Sequence, residues 1–342
     1  MTATSAAPPA ARRSLGAAVH GLAAQRWFKP VLVAFLLVVG LVFIPSWFDA
    51  FWIANFTQMM VFAPVVASAG MLYGRVGLVS LGQVAPYAIG TWMTLRLGHG
   101  TSLPFPLIII LGGVVAAVLG VLIGLPALRV SGLYLALVTL MLAAGVEILI
   151  AEIKFPNGGT GFKGLSKSLS GIKALRRPKF ATTDVTYYRF VVIAAFVLLM
   201  VALVMLATKP GRAWASIRQS EAAALTAGIH VTRYKMLAFA LASFMAGSAG
   251  GLFAGAVPKG MSIDAFTRQA AVFLIAVTIM GGVQTLWGGI LGAFFATCLL
   301  KFLTQNVAGH AFWTRFSLSL FGFGLITNLV QGTKALQKKG LM

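Results

Sequence analysis

Apolar runs of about twenty residues recur along this chain, and such a run has few places to go. A core helix in a soluble domain turns one stripe inward and another to water, so charge returns every turn or two. Here FPLIIILGGVVAAVLGVLIGLPA (105–127) and FVVIAAFVLLMVALVMLA (190–207) carry no charged side chain at all. Over the whole chain 59% of residues are apolar and 10% charged, against about 25% charged in an ordinary soluble domain. The surface that water requires is missing, so lipid is the solvent. In lipid a backbone must satisfy its own hydrogen bonds, which helices do within a single segment. The expectation is an all-α, polytopic integral membrane protein with about ten transmembrane or re-entrant helices. They fall near 31–48, 50–72, 77–97, 104–127, 131–151, 188–208, 236–257, 269–287, 289–306 and 312–331. The third and ninth are short and glycine-broken, as half-helices or re-entrant segments are.

Lys and Arg outnumber Asp and Glu by 27 to 6, for a formal charge of +21. The basic residues lie mainly between the apolar runs, where anionic headgroups and the positive-inside rule place them, so nucleic acid is not the expected partner and membrane lipid is. Arg12, Arg13, Arg26 and Lys29 assign a disordered cytoplasmic tail at 1–29. The transmembrane domain is expected over 30–332 and a basic cytoplasmic tail at 333–342, so both termini face the cytoplasm. Alternation then puts the loops at Arg75, Arg129 and 209–235 inside as well. The loop 152–187 falls outside although it carries seven basic residues, against the trend of the others. The lone Cys298 sits in an apolar run and offers neither a disulfide nor a metal site.

Catalysis finds little footing here. His20, His99, His230 and His310 are widely spaced, six acids are scattered along the chain, and no catalytic or metal-ligating constellation can be read. GTGFKG at 159–164 has dinucleotide-type glycine spacing but follows an apolar span instead of a strand, and Leu165 stands where a P-loop needs lysine. No nucleotide site or other cofactor is expected on this chain. The polar residues inside the apolar segments are more telling. Ser80, Gln83, Tyr87, Tyr134, Thr139 and Gln284 are candidates to line a solute path, with Glu147 nearer an interface. Ser80, Gln83 and Gln284 stand in glycine-broken stretches, where free backbone groups can hold a polar solute. The competing role for each is a helix–helix hydrogen bond.

The strongest local signal is GRAWASIRQSEAAALTAGIHVTRYKMLAF at 211–239. Ser220 suits an N-cap, Glu221 suits the positive end of a helix, the alanines favour helix, and Gly228 can end it in the left-handed conformation. A short, small-faced helix in the loop 209–235, which carries five basic residues, is the expectation. Small residues let such a helix seat in a groove on another protein.

This loop resembles the cytoplasmic coupling loop of permease subunits in branched-chain (LIV-type, hydrophobic) amino-acid importers driven by ATP-binding cassettes, with the M-type permease the nearest kind. The pattern is carried by Arg218, Glu221, Ala223, Ala224, Gly228, Ile229, Val231, Tyr234 and Lys235. GLVSLGQVAPYAIGTW (77–92), LRVSGLYLALVTL (128–140), PNGGTGFKGL (156–165) and IMGGVQTLWGGILGAF (279–294) resemble family segments in the same order. Ala144 stands where relatives often have an acid, and GTKALQKKG replaces their usual ending; both departures bear on the solute carried. The resemblance implies the importer permease fold and transport by alternating access across a bacterial inner membrane. It also implies a second homologous permease, two ATPase subunits that hold ATP and Mg, and an external substrate-binding protein. Residues 218–230 would meet the ATPase, with Ser220 at the helix start. Urea or another small amide is the alternative solute within this class. A secondary transporter or channel working alone is the alternative outside it.

Overall fold

The structure, a computed structural model, describes residues 40–41, 43–127, 132–153, 178, 181–256, 266–283, 285–299 and 301–302. Among them there is no strand. Helix α1 (Ala50–Met71) runs into a π-helical turn at Leu72–Val76, and α2 (Val84–Gly100), α3 (Phe105–Ala127), α4 (Leu133–Glu152) and α5 (Asp184–Ala207) follow. Two short helices, α6 (Lys209–Gln219) and α7 (Glu221–Thr226), precede the long α8 (Val231–Ala256). Helix α9 (Arg268–Gly281) and α10 (Trp287–Phe294) come last, with a second π turn at Phe295–Leu299. Residues 43–47, in the unit that ends at Phe48, form a helical turn with the Phe43 and Trp47 rings stacked 5.3 Å apart.

Among the described residues five stretches are long and apolar enough to cross a membrane: Ala50–Val76, Phe105–Leu122, Tyr134–Glu152, Asp184–Ala207 and Val231–Ala256. Their outer faces are apolar as lipid requires: Ile110, Val114, Val118 and Leu122 form an exposed stripe at four-residue spacing along α3. The fold is all-α and polytopic. The predicted span at 312–331, most of that at 31–48 and most of the 152–187 loop lie outside the described residues.

Three of the boundaries that differ from the sequence expectation have a plain local reason. The segment expected to begin at 77 becomes helical only at Val84, because Gly77 closes the π turn at φ +83° and 77–83 forms a non-helical elbow. The span expected over 269–287 stops at Gly281, where Gly282 takes φ +99°. Helix α5 starts at Asp184 instead of 188, since Thr183 and Thr186 form a reciprocal capping box that extends the helix toward its N-terminus.

Helix α8 is the hub. Lipid gives apolar side chains little reason to leave it, so close packing must hold the helices together, and small residues permit it. A Cβ at Gly90 of α2 would collide with the backbone of Gly247 in α8. Gly113 and Gly120 of α3 bring that helix onto Ser248 and Ser243. These contacts also fix direction. Gly124 lies against Phe239 while Phe105 lies against Gly255, so α3 and α8 are antiparallel. The Tyr187 hydroxyl donates to the Leu252 carbonyl at 2.6 Å, which places the start of α5 at the Ala256 end of α8. The loop 152–187 therefore re-enters the bundle at the end opposite to α6 and α7.

Candidate functional site: a two-helix platform, a polar elbow and an aromatic pocket

At one end of the bundle α6 and α7 form a small platform. Trp214, fully buried, donates its indole N–H to the Tyr234 carbonyl at 2.8 Å and pins α6 to the start of α8. Ala213 and Ile217 complete the buried face of α6. Ser220 caps α7 as expected, its hydroxyl accepting from the Ala223 N–H at 3.3 Å. Beyond α7, Gly228 sits at φ +77°, a conformation that strains any residue carrying a Cβ, so the chain turns there into α8. Glu221 meets Lys235 at 2.6 Å, which ties the start of α7 to α8.

One feature corrects the sequence reading. Ala224 does not present a small face to the outside; it is buried against Ile217 and Val231, with Ile229 and Tyr234 packed around them. A six-residue helix lying on two others must bury one side, and Ala224 is on it. The outward side consists of Ala222, Ala223, Leu225 and Thr226, with Leu225 60% exposed.

The platform is joined to the membrane segments by Arg218. Its guanidinium donates to the Gly74 carbonyl in the π turn, and the neighbouring Gly77 packs on the same side chain. From the other flank the Val283 carbonyl presses on Gly74 so closely that a Cβ there would collide with it. Gly74 therefore lies between the α6–α7 platform and the α9–α10 turn.

The elbow 77–83 leads inward from this point, and three of the sequence candidates meet along it. The Thr139 hydroxyl of α4 accepts from the Leu81 N–H at 3.0 Å. Ser80 accepts from the Gly82 N–H at 3.3 Å, and the Ser68 hydroxyl reaches the Gln83 side-chain oxygen at 3.4 Å. Ser68, Ser80, Gln83 and Thr139 are all buried. Backbone left unpaired by the break in helix is thus met by hydroxyls. Tyr87 lies one turn into α2, within an aromatic group: its ring is 5.2 Å from Phe266, 5.6 Å from Phe253 and 6.4 Å from Phe62. Tyr134 does not join them; at 72% exposed it stands on the outer face of α4. Gln284 lies outside the described residues.

Tyr87, Phe62 and Phe253 line a cavity of about 230 Å³ together with Val84, Phe273 and Gln58 among others. At its edge stands a group that the sequence reading passed over. Lys301 donates to the Asn55 side-chain oxygen at 2.5 Å and to that of Gln58 at 3.2 Å. The signal was available: Lys301 is the only Lys or Arg between Arg268 and Arg315, and Asn55 and Gln58 are one helical turn apart in α1. Among the described residues no cluster of His, Cys, Asp and Glu could hold a metal ion.

The family described as branched-chain amino acid transport system / permease component matches residues 52–329. The high-affinity branched-chain amino acid transport system permease protein LivM of Salmonella typhimurium is 31% identical over 255 residues, covering 69% of this chain and 60% of that protein. LivM of Escherichia coli is 30% identical over the same shares. The autoinducer 2 import system permease protein LsrC of Enterobacter sp. (strain 638) is 30% identical over 248 residues, 70% of this chain and 67% of that protein. The chain thus spans about 60% of the length of the LivM proteins it matches. No solved structure gives a significant match. With the family match running from α1 past α10, this multi-pass membrane protein belongs to the family of branched-chain amino acid transport system permease components.

Proposed function

We propose that this chain is a membrane-spanning permease subunit of an ATP-binding-cassette importer, and that it moves branched-chain or similarly apolar amino acids inward by alternating access. The observation that carries the reading is the Arg218 link, by which the α6–α7 platform grips the π turn at Gly74. Two ATPase subunits, holding ATP and Mg, would seat against the outward side of α7. Their closure would draw on α7, hence on Arg218, the π turn and the elbow, whose far end is continuous with Tyr87 in the pocket wall. The chemistry of ATP hydrolysis belongs to those partners; this chain contributes a rigid handle and a path.

The pocket favours an apolar solute, since four rings together with Val84, Ala270 and Ala296 supply most of its wall. A second, homologous permease would close the other side of the path. A substrate-binding protein would deliver the solute at the outer end, opposite to α7. The platform and both termini are then cytoplasmic in a bacterial inner membrane. Relatedness to LsrC favours, as a second reading, the same machinery carrying a different small solute.

Uptake of radiolabelled leucine by proteoliposomes containing the whole importer tests this directly. Uptake is expected to require ATP inside and the ATPase subunits, and Leu225→Asp is expected to abolish co-purification with them. Leucine uptake by this chain alone, without ATP, overturns the importer assignment. ATP-driven uptake of another solute and not leucine overturns the amino-acid part.

A further inference from the structure

We infer that the Tyr87 hydroxyl holds the polar end of the solute in the aromatic pocket, with the Gln58 amide as a second donor. The pocket so built selects small apolar solutes of zero net charge. The inference rests on the transport reading above and adds the residue that recognises the cargo and the charge class it recognises.

A ring packed among rings needs no hydroxyl. Tyr87 is 5% exposed, and its ring lies within 6.4 Å of those of Phe62, Phe253 and Phe266, contacts that phenylalanine would make equally well. A tyrosine buried in this way ordinarily gives its O–H a partner, and an unmet one costs free energy. Among the described residues the Tyr87 hydroxyl has no hydrogen-bond partner, yet its oxygen is not sealed off. Packing therefore accounts for the ring and leaves the hydroxyl to an incoming group. The residue is also held still. Its backbone carbonyl accepts from the Thr91 hydroxyl at 2.8 Å and lies so close to Gly250 of α8 that a Cβ there would collide with it. A donor fixed in advance loses little entropy when a solute meets it.

The rest of the wall supplies the charge class. Gln58 lines the cavity one helical turn from Phe62 on α1. Its side-chain oxygen accepts from Lys301 at 3.2 Å, so its NH₂ end is left to donate, and that end has no acceptor among the described residues. The Thr297 hydroxyl already donates to the Ala293 carbonyl at 2.7 Å. None of the described lining residues carries a charge. A solute with net charge would give up its hydration here and find no counter-charge, a cost that one hydrogen bond does not offset. A zwitterion brings its own counter-charge, and a hydroxyl that both donates and accepts suits its paired groups. The volume of about 230 Å³ lies between the roughly 150 Å³ void that takes benzene and the roughly 300 Å³ at which sites for larger ligands begin.

The test compares the parent importer with Tyr87→Phe in proteoliposomes, with binding protein and leucine in excess, and reads leucine taken up per ATP hydrolysed. Removing the hydroxyl alone is expected to lower that ratio about fivefold or more, the loss of one hydrogen bond to a bound solute. Co-purification with the ATPases and basal ATP hydrolysis are expected to stay unchanged, and the melting temperature to hold or rise, because an unmet buried hydroxyl is gone. Gln58→Glu, which keeps the contact with Lys301 and turns the donor into an acceptor, is expected to lower the ratio too; an unchanged ratio removes Gln58 from the site. Saturation-transfer NMR on the solubilised importer without binding protein is expected to show contact, above that of empty micelles, for leucine and not for isocaproate, the same side chain without the ammonium. Equal contact, or none, for the two compounds overturns the charge selection. A Tyr87→Phe ratio equal to the parent's, or loss of assembly in that variant, overturns the role of the hydroxyl while leaving leucine import standing. A parent importer that takes up another solute and not leucine overturns the transport reading, and this site with it.

Discussion

At the Met71 end of α1 the contacts are directional and local to the backbone. Arg218 holds a carbonyl, Trp214 holds a carbonyl, Ser220 caps an amide, and Glu221 meets Lys235. At the Asn55 end the pocket is built from rings, and its few polar groups are gathered at one edge. Hydrogen bonds transmit a pull because their geometry tolerates little slack, whereas ring packing yields without a fixed direction. A permease needs both behaviours. On the proposed reading, the end that would receive force is stiff, and the end that would hold a changing cargo is soft.

Substitutions can break that contrast, and the largest effect is expected at the stiff end. Trp214→Ala empties a fully buried site and frees the Tyr234 carbonyl, and should cost about 3–5 kcal/mol, read as a lower melting temperature of the detergent-solubilised protein. If melting is unchanged, the platform is not held by Trp214. At the soft end Phe253→Ala should remove about 1–3 kcal/mol from its ring pairs with Tyr87 and Phe266. It should impair leucine uptake while ATPase association stays intact; loss of association would mean the two ends are not separable. Ser220→Ala should weaken α7 by about 0.5–2 kcal/mol, seen as faster proteolysis of the 209–235 loop in inverted vesicles, with Ser220→Gly milder. Glu221→Ala should be the smallest at about 0.3–1 kcal/mol, the worth of a helix-end charge, because its carboxylate is half exposed and the flexible stem of the buried Lys235 can carry its ammonium toward water. An effect on ATPase stimulation well beyond that figure would sharpen the comparison by giving Glu221 a role outside this chain.

The two ends also differed in how well the sequence announced them. Helix α7 was readable from Ser220, the alanines and Gly228 because capping and propensity act within a few residues. The direction Ala224 faces was not, since α7 is too short for periodicity to reveal which side is covered. Nothing in the chain order suggested that Arg218 meets Gly74, which is 144 residues away. In the elbow, Ser80, Gln83 and Thr139 stood out as polar groups in apolar stretches, and the structure brings them together. Tyr134 stood out for the same reason and faces outward. Polarity alone thus selects candidates without telling inside from outside. Lys301 escaped notice because a lysine near the end of an apolar run reads as a side chain reaching for the interface; only its contacts with α1 show otherwise.

The π turn at Leu72–Val76 has a mechanical corollary. A π turn accommodates one residue more than an α turn, so it is a stored residue of chain within an otherwise regular rod. Each α-helical residue advances the rod by about 1.5 Å and turns it by about 100°. Passing the surplus along would therefore act as a screw thread: a short axial draw on Gly74 emerges as a large rotation of whatever the elbow carries. A second such thread at Phe295–Leu299 lies between the α9–α10 turn and Lys301, so the two walls that meet at Asn55 and Lys301 each contain one.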